Sequence, residues 1–216
     1  MTTHSRVVPA ILTEDHQVLE TMVRQVETFP TYAQIDIMDG QFVPSRSITW
    51  EHIAPLAIKF AWEAHLMTLH PEEQLEGFKK AGAQKFIFHY EATPTPQKVI
   101  TLARDLDFKV GMAINPDTPV SAIHQLAGQV DSVLLLSVDP GFYGSPYIPE
   151  VLDKVAELRQ LYPDLEIGMD GGIKESNIVE IAKSGVDTIC VGSAIFLQPH
   201  PGESFRHLQS LVLQGA

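Results

Sequence analysis

Eight short runs of apolar and β-branched residues recur along the chain at intervals of about 20 to 30 residues. They cover residues 7–12, 32–38, 61–67, 85–90, 109–114, 132–138, 166–169 and 188–191. Stretches with helical spacing lie between them, as at Val18, Met22, Val23 and Val26. Strands that alternate with helices pair in parallel through right-handed crossovers. An open doubly wound sheet fits this alternation too, but eight regular units in 216 residues favour closure. We therefore predict an α/β fold, a TIM (β/α)8 barrel that forms a single domain over residues 1–216.

Two predicted helices end in the same way. Gly82 follows the helical stretch before the fourth predicted strand, and Gly185 follows the stretch before the eighth. Glycine readily adopts the left-handed conformation found just past many helix ends, so both positions predict helix caps. This weak internal repeat suits a barrel, in which every strand–helix unit has the same geometry.

The charge of the chain limits its partners. Asp and Glu outnumber Lys and Arg by 27 to 15, which gives a net charge of −12. This balance argues against nucleic-acid binding, whereas backbone N–H groups can still hold a small anion.

The longest apolar run, residues 133–136, is too short to cross a bilayer, and residues 1–10 lack a signal-peptide pattern. We expect no membrane partner, a cytoplasmic location, and a buried Cys190 that forms no disulfide.

Two aspartates stand where predicted strands break into glycine turns. Residues 35–40 read IDIMDG, and residues 167–172 read IGMDGG. In a parallel barrel both strand ends reach the same mouth, where such barrels carry out chemistry. Alternation along the strand points Asp36, which lies between two isoleucines, into that mouth. Two facing carboxylates, Asp36 and Asp170, can move protons on both faces of a small substrate.

Each of these motifs also has a structural interpretation. Asp39 followed by Gly40 is typical of a turn, and we predict that role for it. A buried aspartate such as Asp36 can be a structural residue that accepts hydrogen bonds from backbone amides. The occurrence of two such acids at one mouth favours a catalytic role.

His65 lies in the third predicted strand, and glycine-rich turns follow the last three strands. A histidine beside two carboxylates is an ordinary ligand set for a divalent metal, so we predict that Asp36, His65 and Asp170 bind one. The other histidines, including His89, are expected to have packing or surface roles.

Tight turns alone would account for single glycines, but the repetition of glycine turns at neighbouring strand ends favours a phosphate site. The residues predicted to bind substrate or phosphate there are Gly141, Phe142, Tyr143, Gly144, Gly171, Gly172, Gly192 and Ser193.

Taken together, these stretches resemble the ribulose-phosphate 3-epimerase family, from residue 8 to residue 196. The matching segments are residues 35–40, 42–44, 65–67, 88–92, 137–142, 170–172 and 192–196. The resemblance implies a TIM barrel, a divalent metal, often zinc, and the interconversion of D-ribulose 5-phosphate and D-xylulose 5-phosphate. A small ketose phosphate is therefore the expected partner, and assembly into a homo-oligomer is left open.

The resemblance also implies roles for single residues. Asp36 and Asp170 would be the paired acid and base and would bind the metal together with His65. The metal would polarise the C2 carbonyl and stabilise a cis-enediolate. Met38 would contribute, with Met67, an apolar floor beneath the enediolate. Backbone amides would hold the phosphate around Gly144, Gly172, Gly192 and Ser193.

Five positions depart from the family pattern. The most important is Gln34, where the family usually has a metal-binding histidine. A neutral amide is a poorer zinc ligand, so we predict that Gln34 binds metal weakly and that Mg²⁺, Mn²⁺ or Fe²⁺ are alternatives to zinc. The other four are Ala10 (usually Ser), Gln41 (usually His), Tyr143 (usually Gly) and Ser145 (usually Gln). Ala10, Tyr143 and Ser145 leave open a different ketose phosphate, such as allulose 6-phosphate. Gln34 and Ala10 leave open a non-catalytic paralogue that binds a phosphosugar or a protein partner.

Overall fold

The computed structural model of the chain describes residues 5–29, 32–141 and 145–215. Eight strands in these residues form one closed barrel in chain order, and every neighbouring pair is parallel. The strands are β1 (Arg6–Ile11), β2 (Tyr32–Met38), β3 (Ala61–Met67), β4 (Lys85–His89), β5 (Lys109–Ile114), β6 (Ser132–Leu136), β7 (Glu166–Asp170) and β8 (Thr188–Val191). The predicted TIM barrel is confirmed, and no strand end differs from its predicted position by more than two residues.

Helices surround this barrel on its outer side. They are α1 (His16–Val26), α2 (Trp50–Ile53), α3 (Leu75–Lys80), α4 (Pro96–Asp105), α5 (Leu152–Leu161), α6 (Ile178–Lys183), α7 (Ser193–Phe196) and α8 (Pro201–Gly215). Among the described residues, none of these helices is both long enough and apolar enough to span a membrane.

One crossover departs from the predicted alternation of strands and helices. Residues 115–131, all of them described, connect β5 to β6 through two 3₁₀ turns, Val120–Ile123 and Ala127–Gln129, and hold no α-helix. Pro119 precedes the first turn, and Gly128 lies in the second. Proline and glycine both oppose a long helix, which explains the short turns.

Helix α1 shows how the local sequence sets an outer helix. The Asp15 carboxylate accepts hydrogen bonds from the backbone N–H groups of Gln17 and Val18, at 2.7 and 3.2 Å, and so caps the helix. The helix buries Leu19, Met22, Val23 and Val26 against the barrel. Val18 remains 44% exposed, so the apolar face is centred on Leu19 and excludes Val18.

The two predicted glycine caps are present. Gly82 follows α3 with a φ of +91°, and Gly185 follows α6 with a φ of +100°. Both angles lie in the region that favours glycine, because a side chain would meet steric strain there.

Inside the barrel, apolar side chains fill the space below the mouth. This inner cluster consists of Val8, Ala10, Ile87, Ala113, Leu134, Leu136 and Cys190. A much larger apolar core lies between the strands and the helices, with Trp62, Phe78, Phe86 and Phe88 as its largest fully buried side chains. The middle of the barrel is therefore packed with apolar side chains, and the polar and charged groups lie at its two ends.

A partly buried ion pair network lies at the end of the barrel that holds the strand N-termini. Lys85 Nζ lies 2.7 Å from Glu166 Oε1 and 3.3 Å from Glu63 Oε2. The Tyr32 hydroxyl donates a hydrogen bond to Glu63 Oε2 at 2.8 Å. Burial disfavours the charged ammonium, but the two glutamates outweigh this and raise the pKa of Lys85. Lys85 is therefore charged, and its ammonium compensates the carboxylate of Glu63, which is only 3% exposed.

We expect Lys85→Met to lower the free energy of unfolding by about 3–5 kcal/mol, because it leaves Glu63 as a buried charge without a cation. Adding Glu63→Leu should recover most of this loss. The exposed Lys183→Met is the matched control and should change stability by less than about 0.5 kcal/mol. Denaturant unfolding followed by circular dichroism measures all three. Equal stability of Lys85→Met and the unmodified protein would contradict this role of the ion pair.

Candidate active site

The C-terminal ends of the strands surround a cavity that opens to solvent. Asp36 and Met38 reach it from β2, and Asp170 reaches it from β7. Its wall also includes Ala10, Leu12, Met67, Leu136, Val138, Pro140, Gly141, Ser145, Gly171, Gly172, Ile173, Cys190, Gly192 and Ser193. Residues from both halves of the sequence thus meet at the mouth, where TIM barrels carry out chemistry.

The structure brings most of the predicted site residues together. Met38, Gly141, Gly171, Gly172, Gly192 and Ser193 line the cavity beside the two aspartates. His65 and Gln34 are fully buried and contact the carboxylates from within the barrel, off the cavity wall. The predicted residues Phe142, Tyr143 and Gly144 lie outside the described residues.

The two aspartates share one histidine. Asp36 and His65 are paired across β2 and β3, which places His65 Nδ1 2.8 Å from Asp36 Oδ1. The same nitrogen lies 3.4 Å from Asp170 Oδ2 on β7. One ligand atom from each of these residues lies within 4.8 Å of the others. The barrel therefore gathers two carboxylates and an imidazole into one buried cluster.

Gln34 completes this cluster in an unexpected orientation. Its amide nitrogen donates hydrogen bonds to Asp36 Oδ1 at 2.8 Å and to Asp170 Oδ2 at 2.6 Å. The same nitrogen lies 3.5 Å from His65 Nδ1. Its amide oxygen accepts a hydrogen bond from the Cys190 thiol, with a sulfur–oxygen distance of 3.2 Å. The nitrogen, and not the oxygen expected of a metal ligand, therefore faces the carboxylates.

Burial and mutual charge shift the pKa values of this cluster. Burial, and then the negative charge of Asp170, raise the pKa of Asp36 to about 6, although hydrogen bonds from His65 and Gln34 favour its charged form. Burial opposes the charging of His65, but Asp170 and Asp36 outweigh it and raise the pKa of His65 to about 9. A positive imidazole thus lies between two acids, of which Asp36 binds a proton unusually readily.

A second histidine extends the cluster, in contrast to the expected packing or surface role. His89 is fully buried, and its Nε2 lies 3.0 Å from His65 Nε2. Its Nδ1 lies 3.3 Å from Glu91 Oε2. Burial and the charge of His65 lower the pKa of His89 despite Glu91, so a neutral His89 accepts from His65 and donates to Glu91. Strand alternation could have revealed that His89 points inward, but its contact with His65 depends on the barrel.

Two serine hydroxyls fix the strand ends that carry the aspartates. Ser47 Oγ donates to the Asp36 carbonyl and accepts from the Met38 N–H, both at 2.9 Å. Ser137 Oγ lies 3.1 Å from the carbonyl oxygen of Asp170 and 2.7 Å from that of Gly171. Sequence reasoning missed both serines, because a lone serine gives no signal of the distant backbone group that it contacts.

The Asp39–Gly40 turn is confirmed. The Asp39 carboxylate accepts hydrogen bonds from the N–H groups of Gln41 and Phe42, both at 2.8 Å, and from Leu69 N–H at 2.8 Å. Gly40 has a φ of +72°. Asp39 therefore holds the loops after β2 and β3 together, which is a structural role.

Glycines allow the loops after β6 and β7 to approach the cavity closely. Gly171 has a φ of +110°, and a Cβ there would lie 2.5 Å from Val138 Cγ2. Gly172 has a φ of +65°, and its Cβ would lie 2.9 Å from the Cα of Tyr147. Neither position can hold a side chain without moving its neighbour, so glycine is required at both.

The donor set fits a divalent cation only in part. Asp36, His65 and Asp170 together could hold a divalent ion, since carboxylate oxygen and imidazole nitrogen are common ligands. The amide nitrogen of Gln34 lies among the same three atoms. A cation at that point would have to displace the amide.

Comparison with known proteins identifies relatives along most of the chain. A model of the ribulose-phosphate 3 epimerase family matches residues 6–196. Ribulose-phosphate 3-epimerase of Eremothecium gossypii is 34% identical over 204 residues, which cover 88% of this chain and 85% of the relative. The cytoplasmic isoform of ribulose-phosphate 3-epimerase from Oryza sativa subsp. japonica is 34% identical over 215 residues, covering 96% of this chain and 94% of the relative.

Solved structures agree with the fold. The crystal structure of 3-hexulose-6-phosphate synthase from Salmonella typhimurium aligns with a TM-score of 0.74 at 17% identity. The alignment covers 98% of this chain and 100% of the other. At this level of identity the likeness shows a shared barrel fold and carries no conclusion about activity.

We expect Cys190 to be unreactive in the folded protein. The residue is 1% exposed, and burial raises the pKa of its thiol well above the ordinary value, so little thiolate is available. Iodoacetamide at pH 8 should leave the native chain unlabelled and should add one label per chain in denaturant, as counted by mass spectrometry. Rapid labelling of the native chain would show instead that the thiol is accessible to solvent.

Proposed function

The chain belongs to the ribulose-phosphate 3-epimerase family, and we propose that it interconverts D-ribulose 5-phosphate and D-xylulose 5-phosphate by proton transfer at C3. The observation that carries this proposal is the pair of carboxylates, Asp36 on β2 and Asp170 on β7, which face one cavity and share His65. Epimerisation needs a base on one face of the carbon and an acid on the other, and this pair supplies both.

The proton transfers use the two aspartates in turn. C3 of a ketose phosphate lies next to the C2 carbonyl, so its proton is acidic. The ionised carboxylate removes that proton and leaves an enediolate, and the protonated carboxyl then delivers a proton to the opposite face. Asp36, whose pKa is raised to about 6, is suited to carry the proton in one direction, and the two residues exchange roles in the other.

His65 supports the pair electrostatically. It lies 2.8 Å from Asp36 and 3.4 Å from Asp170, so a positive imidazole fixes both carboxylates and reduces their repulsion. A divalent cation held by Asp36, His65 and Asp170 would, when bound, polarise the C2 carbonyl oxygen. The identity of such a cation stays a prediction from the sequence.

The glycine turns support binding of the phosphate. Gly171, Gly172, Gly192 and Ser193 line the cavity next to Asp170. Their backbone N–H groups can hold an anion without lysine or arginine, which agrees with the acidic net charge of −12. A small sugar phosphate is therefore the proposed partner, in the cytoplasm, and the assembly state stays open.

The substrate can be tested directly with purified protein. Ribulose 5-phosphate and allulose 6-phosphate are incubated separately in deuterated water, and exchange at C3 and formation of the epimer are followed by NMR. We expect both signals with ribulose 5-phosphate. Faster reaction of allulose 6-phosphate would reassign the substrate. Binding of either sugar phosphate without exchange would favour a non-catalytic paralogue.

We expect Asp36→Asn and Asp170→Asn each to lower kcat by at least about a hundredfold, because each keeps the size of the side chain and removes a positioned acid or base. The matched control is Asp164→Asn at an exposed position, which should leave kcat unchanged. A coupled assay that consumes xylulose 5-phosphate measures all three. Near-native turnover of either site variant, with a normal circular dichroism spectrum, would contradict the two-carboxylate mechanism.

We expect Gly172→Ala to raise KM by roughly tenfold or more, since its Cβ would lie 2.9 Å from Tyr147 Cα and must shift the amides proposed to hold phosphate. The control is Gly128→Ala, because no atom lies within 4 Å of the added Cβ there. Steady-state kinetics on ribulose 5-phosphate give the comparison. An unchanged KM in Gly172→Ala would place the phosphate elsewhere.

A further inference from the structure

The side chain of Gln34 has no exposed surface and has hydrogen-bond partners at both ends of its amide. The nitrogen donates to two carboxylates, Asp36 and Asp170, and lies 3.5 Å from the His65 ring nitrogen. These are the same three residues that could together hold a metal ion. The amide nitrogen and a cation therefore compete for one position.

The distances make the two occupants mutually exclusive. A zinc ion bonds oxygen and nitrogen ligands at roughly 2.0 to 2.2 Å, so it would lie at the centre of the three ligand atoms. The Gln34 nitrogen is already 2.6 Å from Asp170 Oδ2 and 2.8 Å from Asp36 Oδ1. A cation can enter only after this side chain has moved and its two hydrogen bonds to carboxylates have been lost.

Chemistry also fixes which end of the amide faces the aspartates. Carboxylates accept hydrogen bonds, so the N–H₂ end suits them, and an amide oxygen 2.6 Å from Asp170 would be repelled. At the other end, the Cys190 thiol donates to the amide oxygen. Rotating the amide to offer its oxygen to a metal would therefore break favourable contacts at both ends.

We propose that the Gln34 amide takes the place of the metal ion in this chain, so that the protein works without a tightly bound metal. Gln34 is a positioning residue: its two N–H groups hold Asp36 and Asp170 at one site, and Cys190 orients the amide. This inference rests on the proposed epimerase function for its kinetic part, whereas its structural part concerns only what occupies the site.

Metal content of the purified protein is the first test. Elemental analysis after dialysis against a chelator should find well under one metal ion per chain, with epimerase activity retained. Gln34→His, which replaces the amide by an imidazole, should bind about one zinc ion, at least about a hundredfold more tightly than the unmodified protein does. Competition with a chromogenic zinc chelator measures both affinities without substrate.

The second test separates a positioning role from a merely structural one. Gln34→Leu removes both N–H donors at similar size and should lower kcat about tenfold or more with little change in KM. Gln34→His stripped of metal should gain activity when zinc is added and should lose it again when a chelator is added. The control is the surface variant Gln125→His, which should stay insensitive to chelator.

Each outcome decides the question. Stoichiometric zinc in the unmodified protein, with activity lost on its removal, would overturn the inference while leaving the epimerase function intact. A metal-free protein whose zinc affinity rises in Gln34→His, but which epimerises neither ketose phosphate, would overturn the function and retain the structural part. If the Gln34 variants fail to fold, the metal content and chelator response of the unmodified chain still decide whether the protein works without a tightly bound metal.

Discussion

Strand β8 pairs with β1 from Arg6 opposite Thr188 to Pro9 opposite Val191, and this pairing closes the barrel. In an open sheet of the same order, β2 and β7 would be five strands apart. Closure brings them across a common interior, so that Asp36 and Asp170 reach one histidine. The cavity exists because the strand ends form a ring, and this ring places the glycine turns around it.

Two buried carboxylates a few ångströms apart repel each other, and the surrounding residues compensate this repulsion. Burial and like charge raise the pKa of Asp36, while His65 and Gln34 supply donors that favour the charged form. His65 is in turn held by His89, and the Gln34 amide by Cys190. Gln34, His65 and His89 are fully buried inside the barrel, whereas the two aspartates line the cavity that opens to solvent, so buried donors hold the acids at the place where a substrate can reach them.

The two ends of the barrel have different roles: the end at the strand N-termini contributes to stability, and the end at the strand C-termini carries the proposed catalytic groups. At the strand N-termini, Lys85 pairs with Glu63 and Glu166, and Arg6 lies 3.9 Å from Glu166, so two cations balance two carboxylates. At the other end, Asp36 and Asp170 line the cavity that opens to solvent. Apolar residues such as Ile87 and Leu134 separate the two groups, so changes at one end can be tested with little effect on the other.

The eight strands, the closed barrel, the aspartates at two strand ends and the glycine turns could all be predicted from the sequence. These follow from alternation, helical spacing and turn chemistry, all of which are local. Three features became visible in the folded chain alone: the Gln34 nitrogen faces Asp36 and Asp170, His89 contacts His65, and β5 connects to β6 without an α-helix. The amide of a glutamine can rotate, and its orientation is set by the charges and donors that surround it. Apart from Asp36 on the same strand, those neighbours come from β3, β7 and β8, far away in sequence, so no local pattern could reveal them.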